Sequence, residues 1–436
     1  MTGSGQSTAE AETGEATDWS PGDKNQIALL SFAHAVQHFF TAALAFSYPF
    51  VVADFHISYA LLGAVLGAAG VVGGLLQGVA GLVRRVSARW LLVGQDLGLA
   101  ATLVLAAAAP AFAVFALARC LATFVQWPQH PVGSAYLSER VPRRRSVALS
   151  WHTIGGSIGT LVVPLAAGAV TATWGWRWAL VVFVPGLLLG AALLWHGMED
   201  PSRRALRRAA PVPARGRADV PESAGNSGDS AGAGRTPGTP LKSVLRRPAA
   251  LAVLAAGTIA AAGRGLGVLG SYVPAFLHDG RHLSSISTGA LYTAVLIGSV
   301  GGPALAGWLA DRIGRRRVLV VVYPIGALCL AAYVLVGSSV WALAGVGLLV
   351  GAFAYAESPL LQSLYADATH GAESRAAFGV YFAVAYGVGA LWQVVIGWLV
   401  TSYGFRTAFL AMAASFVVAG ALVAGVRDRR ADADAG

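Results

Sequence analysis

Long apolar stretches alternate with short polar segments along most of the chain. About twelve of these stretches approach the roughly 20 residues that a helix needs to cross the hydrocarbon core of a membrane. They lie near residues 27–52, 59–82, 90–108, 110–135, 147–173, 177–196, 248–277, 285–310, 317–337, 339–366, 375–402 and 405–426. A helix satisfies its own backbone N–H and C=O groups, as the dry bilayer interior requires. The pattern therefore predicts an all-α membrane protein with twelve transmembrane helices.

The composition supports this interpretation. The chain of 436 residues is 56% hydrophobic and only 12% charged, whereas soluble domains carry about 25% charged residues. Residues 1–26 are polar and acidic and lack the basic segment that begins a cleaved signal peptide. We therefore predict a disordered cytoplasmic tail at 1–26 and a second cytoplasmic tail at 427–436.

The net charge of +10 follows the membrane and does not indicate a nucleic-acid partner. Basic residues concentrate in alternate loops, at 84–89, 140–145, 197–247, 312–317 and 427–430, and the intervening loops contain few of them. Loops rich in Lys and Arg remain in the cytoplasm. The sequence thus predicts a multi-pass protein of the cell membrane, inner or plasma, with both termini in the cytoplasm.

Residues 197–247 interrupt the apolar pattern with a run rich in Pro, Gly, Ser and Arg. Such a composition cannot bury a core, so the run is predicted to be a flexible cytoplasmic linker. It separates an N-terminal six-helix bundle at 27–196 from a C-terminal six-helix bundle at 248–426. The predicted fold is therefore two six-helix bundles joined by a linker.

The two predicted bundles repeat each other in parallel. Gln129 and Glu357, for example, are 357 − 129 = 228 positions apart. The matched pairs are Gln129 with Glu357, Pro131 with Pro359, Ser146 with Ser374 and Gly159 with Gly387 at 228 positions, and Gly175 with Gly404 at 229. This spacing predicts two transporter halves related by an axis along the membrane normal.

A charged segment, GWLADRIGRRR at 307–317, fills the loop between the second and third helices of the C-terminal half. Gly307 would permit close helix approach, and Asp311 can pair with arginines near a helix terminus. Such a cluster can form in one conformation and break in another. The predicted gating residues are Gly307, Asp311, Arg312, Gly314, Arg315 and Arg316. The N-terminal equivalent of Asp311 is Arg85, since 311 − 226 = 85, which leaves open whether a gate works there.

This loop resembles the G-x-L-A-D-R-x-G-R-R signature of the major facilitator superfamily. The N-terminal half is similar to exporters of the fosmidomycin-resistance type in SFAHAVQHFFTAALAFSYPF, WPQHPVGSAYLSE and SWHTIGGSIGTLVVPLAAG. Glycines before Pro164 resemble an antiporter signature, although Val163 stands where that signature has glycine. The resemblance implies the major facilitator fold, alternating access, and export of drug-like molecules by proton antiport.

Charged side chains within the predicted spans are functional candidates, because a charge in the bilayer is costly unless it is paired or hydrated. Arg119 resembles the intramembrane arginine of proton-coupled superfamily members, with a structural ion pair as the alternative. Arg264, flanked by glycines, is predicted either to contact the substrate or to form a structural pair. Glu357 is the best candidate for a group that carries a proton. Asp96 is interpreted as part of the charge network of a loop.

Histidines form a second group of embedded candidates. His34, His38 and His130 are predicted to take part in proton coupling, because imidazole titrates near physiological pH, and His152 is also embedded. His34 and His38 share a helix face at i, i+4. That spacing can bind metal, but no HExxH motif or nearby acidic ligand accompanies it. We therefore predict neither a metal site nor a cofactor.

Polar side chains in the spans could orient a substrate among apolar walls. The predicted substrate-binding residues are Arg264, Arg119, Gln37, Gln126, Gln129, Tyr272, Tyr292 and Gln393. The chain lacks a Walker A motif and a Ser-His-Asp order, so neither an ATP-driven pump nor an enzyme is predicted. We expect a secondary transporter, functional as a monomer, that exports a small drug-like molecule or metabolite, of which an anion is one option, by proton antiport. Import of an organic anion or nutrient by proton symport remains open.

Overall fold

The computed structural model describes residues 19–79, 86–141, 144–199, 247–369 and 374–426. Most of the predicted linker, the C-terminal tail, much of the N-terminal tail and Arg85 lie outside these ranges.

The described residues of the N-terminal half form eight helices, which make up its six predicted spans. They are α1 (Pro21–Asp54), α2 (Tyr59–Val79), α3 (Ala88–Ala107), α4 (Phe112–Gln126), α5 (Ser134–Arg140), α6 (Arg145–Trp174), α7 (Trp176–Val181) and α8 (Val184–Gly197). Helix α1 begins at Pro21 and not near residue 27, because the Ser20 hydroxyl accepts from the Asp23 N–H at 3.2 Å and caps the helix. A π-helical turn, Gln129–Gly133, joins α4 to α5.

In the C-terminal half, the residues that the structure describes form seven helices and four irregular helical turns. The helices are α9 (Pro248–Ala260), α10 (Gly270–Ala275), α11 (Ser285–Ile313), α12 (Arg315–Leu335), α13 (Val340–Ala368), α14 (Ser374–Tyr381) and α15 (Trp392–Ala424). The irregular turns are the π-helical Gly265–Leu269, Phe276–Gly280 and Phe382–Val388 and the 3₁₀-helical Gly389–Leu391.

The described residues accommodate the twelve predicted crossings. Nine continuous helical stretches within them are long and apolar enough to cross a membrane. One of these, 377–424, holds two predicted spans, because Gly404 turns the chain there. The predicted spans 110–135 and 248–277 are helical but are divided by π-helical turns, so they do not count among the nine. The result is an all-helical fold of two six-helix bundles.

Matched glycine turns support the repeat. Gly175 has φ 87° and ψ 166°, and Gly404 has φ 81° and ψ 171°. Both lie between the fifth and sixth spans of their halves. Only glycine adopts this conformation without strain, so the same sequence feature makes the same turn twice.

The helices end at two opposite faces of the bundle. The terminal face carries Pro21, Arg140 and Arg315, and the distal face carries Asp54, Arg177 and Asp279. At the terminal face, Arg140 pairs with Asp23 at 2.6 Å and with Glu199. These pairs join the end of the predicted N-terminal tail and the start of the predicted linker to the N-terminal half.

The halves pack against each other where α2 meets α15 and where α6 meets α11. These helices approach so closely that a Cβ at Gly289 would collide with the backbone of Pro164, and one at Gly397 with that of Tyr59. Hydrogen bonds join the halves at the distal face. The Tyr59 hydroxyl donates to Asp279 Oδ2 at 2.5 Å, and the Ala60 N–H donates to Thr401 Oγ1 at 2.9 Å.

Candidate functional site

A buried ion pair lies inside the C-terminal half. Arg264 Nε donates to Glu357 Oε1 at 2.6 Å, and the two side chains are 3% and 0% exposed. The rest of the guanidinium donates to the carbonyl oxygens of Ala385 at 3.1 Å and Gly257 at 2.6 Å. The Tyr323 hydroxyl donates to Glu357 Oε2 at 3.1 Å. Each charged group therefore has several hydrogen-bond partners, as burial requires.

Irregular backbone positions the arginine. Helix α9 ends at Ala260, and Arg264 has the extended conformation φ −63°, ψ 130° just before the π-helical turn Gly265–Leu269. The break lets the side chain turn toward Glu357 on α13. The Tyr386 ring, on another π-helical turn, lies 4.5 Å from the guanidinium carbon and adds a cation–π contact. The site thus draws on four of the six spans of its half.

The N-terminal half carries an uncharged pair at the matched positions. Gln95 Nε2 donates to Gln129 Oε1 at 3.0 Å, and both side chains are buried. Gln95 corresponds to Tyr323, since 323 − 95 = 228, and Gln129 corresponds to Glu357 at the same offset. The structure thus reveals two partners, Tyr323 and Gln95, that the sequence analysis missed although the 228-residue offset could have found them.

Asp96 is a further buried carboxylate. It is 0% exposed, its Oδ1 accepts from Gln95 at 3.4 Å, and its Oδ2 has no partner within the described residues. A Cβ at Gly190 would lie 2.7 Å from Oδ2, which places the carboxylate against α8. The assignment of Asp96 to a loop network was therefore wrong, because the carboxylate points into the helix interface.

Arg119 differs from Arg264 in its surroundings. It is half-buried on α4, donates to Thr123 Oγ1 at 2.9 Å, and lies close to the Tyr48 hydroxyl. Among the residues that the structure describes, no carboxylate forms an ion pair with it. A partly accessible cation without an anion can attract a negatively charged ligand.

Polar groups from both halves meet near Tyr48. This N-terminal side chain lies near Tyr272 and Tyr292 of the C-terminal half. Tyr272 donates to the carbonyl of Gln393 at 2.8 Å, and Tyr292 donates to that of Gly270 at 3.1 Å. The structure therefore brings four of the predicted substrate-binding residues close to Tyr48: Arg119, Tyr272, Tyr292 and Gln393.

The remaining predicted substrate-binding residues are dispersed. Gln37 and Gln129 are buried, Gln126 is half-buried, and Arg264 belongs to the separate ion pair. Only Gln126 and Arg119 of the predicted set are even partly accessible in this conformation.

The four embedded histidines form one cluster, which the sequence did not indicate. His34 lies between His38, at a ring-centroid distance of 4.7 Å, and His152, at 4.2 Å. The His130 ring is 5.1 Å from that of His34. The rings come from α1, α6 and the π-helical turn Gln129–Gly133.

The charged loop is arranged differently from the prediction. Asp311 is exposed and forms no ion pair within the described residues, because the nearby arginines bind elsewhere. Arg315 pairs with Asp367, Arg316 donates to the carbonyl of Ala424, and the guanidinium carbon of Arg312 lies 3.5 Å from the centroid of the Trp308 ring.

The two glycines of this loop have different roles. A Cβ on Gly307 would meet nothing within 4 Å, so the prediction that Gly307 permits close helix approach was wrong. The close approach of α11 to α13 occurs instead at Gly298, Gly302 and Gly351. Gly314, with φ 94°, makes the turn between α11 and α12.

Two membrane-spanning bundles with polar groups buried inside them define a transport protein of the bilayer. The chain belongs to the Major Facilitator Superfamily, whose family model matches residues 30–392 and 268–435.

Solved structures share the fold. The nucleoside transporter NupG superposes with a TM-score of 0.72 and 14% identity, over 92% of this chain and 99% of that one. A bacterial homolog of the human lysosomal transporter Spinster, in an inward-facing and unoccupied conformation, gives a TM-score of 0.68 and 14% identity, over 93% and 97%. The glucose transporter GlcP of Staphylococcus epidermidis (strain ATCC 12228 / FDA PCI 1200) is 42% identical over 60 residues, which span 13% of this chain and 14% of GlcP.

Proposed function

We propose that this protein is a proton-coupled antiporter that exports a small drug-like molecule or metabolite. The buried Arg264–Glu357 pair is the observation that carries the proposal. Stability alone does not account for such a pair, because apolar replacements of buried ion pairs are often neutral or stabilising by about 1–4 kcal/mol. A carboxylate inside a transporter half can take up a proton when it moves away from its cation and its tyrosine, and can release the proton when the pair forms again.

Glu357 is the proton carrier in this proposal. Arg264 is held by two backbone carbonyls as well as by Glu357, so it stays in place when the carboxylate changes state. A proton on Glu357 weakens its attraction to Arg264, and loss of the proton restores the pair. The two arrangements favour different packing of the C-terminal half, and substrate binding selects between them.

Alternating access is supported by where the halves touch. Tyr59 and Asp279 join them at the distal face, and Ala60 adds a hydrogen bond to Thr401 there. If the terminal face is cytoplasmic, as the basic loops predict, this is an inward-facing state. Breaking the distal contacts then opens the pathway to the outside.

An anion is the substrate class that the polar groups favour. Arg119 supplies a positive charge without a carboxylate partner among the described residues, and Gln126 lies two turns further along the same helix. The likeness of the N-terminal half to fosmidomycin-resistance exporters favours outward transport of such compounds. The likeness to NupG in fold and to GlcP in a 60-residue segment does not indicate that this chain transports nucleosides or glucose.

The test uses everted membrane vesicles that contain the full-length protein and are acidified inside by respiration. Fosmidomycin and a panel of drug-like anions are added, and a pH-sensitive dye reports the lumen. We expect at least one compound to release protons from the lumen, as antiport requires. Compounds that are transported without this release, or that enter cells with protons, would favour the symport alternative.

Glu357→Gln separates coupling from transport. We expect the variant to lose accumulation driven by a pH gradient while it keeps substrate exchange, which needs no net proton movement. Glu139→Gln is the matched control, because Glu139 is an exposed carboxylate on α5. Normal gradient-driven accumulation in Glu357→Gln would rule out Glu357 as the coupling group, and Asp96 would be the next carboxylate to test.

A further inference from the structure

The histidine cluster lies in the N-terminal half and is not used by the proposed transport cycle. His34 and His38 come from α1, His130 from the π-helical turn Gln129–Gly133, and His152 from α6. His34 and His152 are buried, and His130 is exposed. The cluster is therefore open on the side of His130 and closed behind His34.

Hydrogen bonds fix the tautomers of the two α1 histidines. His34 Nδ1 lies 2.7 Å from the carbonyl oxygen of His152, which can only accept, so Nδ1 carries the hydrogen. His38 Nδ1 lies 2.8 Å from Thr160 Oγ1. That hydroxyl gives its own hydrogen to the carbonyl of Gly156 at 3.0 Å, so it accepts from His38. In both neutral rings Nε2 is left with a bare lone pair.

These two Nε2 atoms are 3.2 Å apart. Two lone pairs that face each other at this distance repel, and neither ring has a hydrogen to place between them. Two nitrogen ligands of a tetrahedral zinc ion, each about 2.0–2.1 Å from the metal, are about 3.3 Å apart. The separation therefore suits a cation shared by both rings.

His130 supplies a third ligand. One nitrogen from each of His34, His38 and His130 can be chosen so that all three atoms lie within 4.8 Å of one another. Three imidazoles and one open position form a ligand set that binds Zn²⁺ without any acidic residue. No acidic ligand lies near His34 and His38 in the sequence, and the sequence alone does not place His130 beside α1.

We propose that His34, His38 and His130 form a binding site for a divalent transition-metal ion, with Zn²⁺ as the probe. Imidazole nitrogen suits Zn²⁺, Cu²⁺ and Ni²⁺ and does not suit Mg²⁺ or Ca²⁺. The His152 carbonyl and Thr160 are positioning groups, since each accepts the Nδ1 hydrogen of a ligand ring and aims its Nε2. All three ligands belong to one half, so the ion binds without bridging the two halves.

The experiment measures Zn²⁺ binding to the purified full-length protein without a histidine tag. X-ray absorption at the zinc edge should detect imidazole nitrogens at about 2.0–2.1 Å and no sulfur at about 2.3 Å, which excludes binding at the cysteines. Isothermal titration should find one site per chain. A spectrum without imidazole scattering, or no saturable site, would overturn the proposal and leave a shared proton as the link between His34 and His38.

Variants locate the site. His130→Ala removes an exposed ring, so the protein should fold normally, and it should weaken Zn²⁺ binding at least 100-fold. Thr160→Val should weaken binding about 10- to 100-fold, as loss of an outer hydrogen bond does, and Thr160→Ser should restore it. His196→Ala is the control, because His196 is an exposed histidine on α8 outside the cluster. Equal affinity in His130→Ala and His196→Ala would contradict the proposed ligands.

Discussion

The two halves place a hydrogen-bonded pair at matched positions, but the chemistry of the pairs differs. In the N-terminal half, Gln95 donates to Gln129 at 3.0 Å, and in the C-terminal half, Tyr323 donates to Glu357 at 3.1 Å. Only the second pair is joined by an arginine. A repeated scaffold can thus hold a neutral or a charged pair, and the charge occurs where a cation is available.

The largest expected effect comes from separating the charges. Arg264→Met should destabilise the protein by about 3–5 kcal/mol, because Glu357 would be buried without its cation. Gln95→Leu, at the neutral pair, should cost about 1–3 kcal/mol, since it leaves the amide oxygen of Gln129 and Asp96 Oδ1 without their donor. Denaturant unfolding in mixed micelles measures both. The double variant Arg264→Met/Glu357→Leu should regain most of the stability lost in Arg264→Met. Equal losses in Arg264→Met and Gln95→Leu would contradict the proposed difference between the charged and the neutral pair.

A copy of the charged pair in the N-terminal half tests whether a tyrosine and a glutamate support proton-driven transport without an arginine. Gln95→Tyr together with Gln129→Glu copies the C-terminal pair into the N-terminal half without an arginine. We expect a loss comparable with that of Arg264→Met, about 3–5 kcal/mol, because the carboxylate is again buried with a tyrosine donor and no cation, measured by the same unfolding assay. Combined with Glu357→Gln, the copied pair should not restore transport driven by a pH gradient. Restoration would mean that the cation is dispensable.

A smaller effect is expected at the tyrosine of the charged pair. Tyr323→Phe removes the donor to Glu357 Oε2 and should cost about 1 kcal/mol. Tyr333→Phe is the matched control, because its buried hydroxyl has no partner within the described residues. The control should be neutral or slightly stabilising in the unfolding assay. If both variants behave alike, the Tyr323 hydrogen bond contributes nothing to the pair.

The smallest effect on stability is expected at Asp311, which has Arg85 as its counterpart in the other half. Asp311→Asn should change stability by less than about 0.5 kcal/mol, because the side chain is exposed and has no ion pair among the described residues. We still expect slower transport with little change in substrate affinity, if the cluster forms in the opposite conformation. Asp367→Asn, which breaks the pair with Arg315, is the comparison. If the transport flux of Asp311→Asn is unchanged, the charged loop only fixes the orientation of the chain in the membrane.

Hydrophobic length predicted the fold well because each span must bury its own backbone polar groups. The sequence also identified Glu357 and Arg264, since charges stand out in an apolar helix. It left open whether Arg264 or Arg119 pairs with Glu357, because Arg264 reaches α13 only through a break after Ala260 that no helical periodicity encodes. The burial of Asp96 was missed because the sequence does not show where α3 begins. The helix begins at Ala88, so Asp96 lies two turns inside it and is buried, whereas a later start would have left it in the loop.

The sequence did not show which distant spans contact each other. The i, i+4 spacing of His34 and His38 was readable, but His130 and His152 join them only when the π-helical turn Gln129–Gly133 and α6 pack on α1. The role given to Gly307 followed a motif, whereas the helices touch at glycines that no motif marks. Local patterns therefore indicated which residues have unusual chemistry, and packing determined their partners.

The anchoring of Arg264 by two backbone carbonyls has an electrical consequence. The pair with Glu357 is neutral as it stands, and a proton on Glu357 would leave one positive charge fixed inside the C-terminal half. A charge that moves through the membrane field changes in energy by about 2.3 kcal/mol for every 100 mV. If Glu357 carries the proton, the voltage across the membrane drives the cycle alongside the pH gradient, and the turnover rate should depend on voltage even when the pH is equal on both sides.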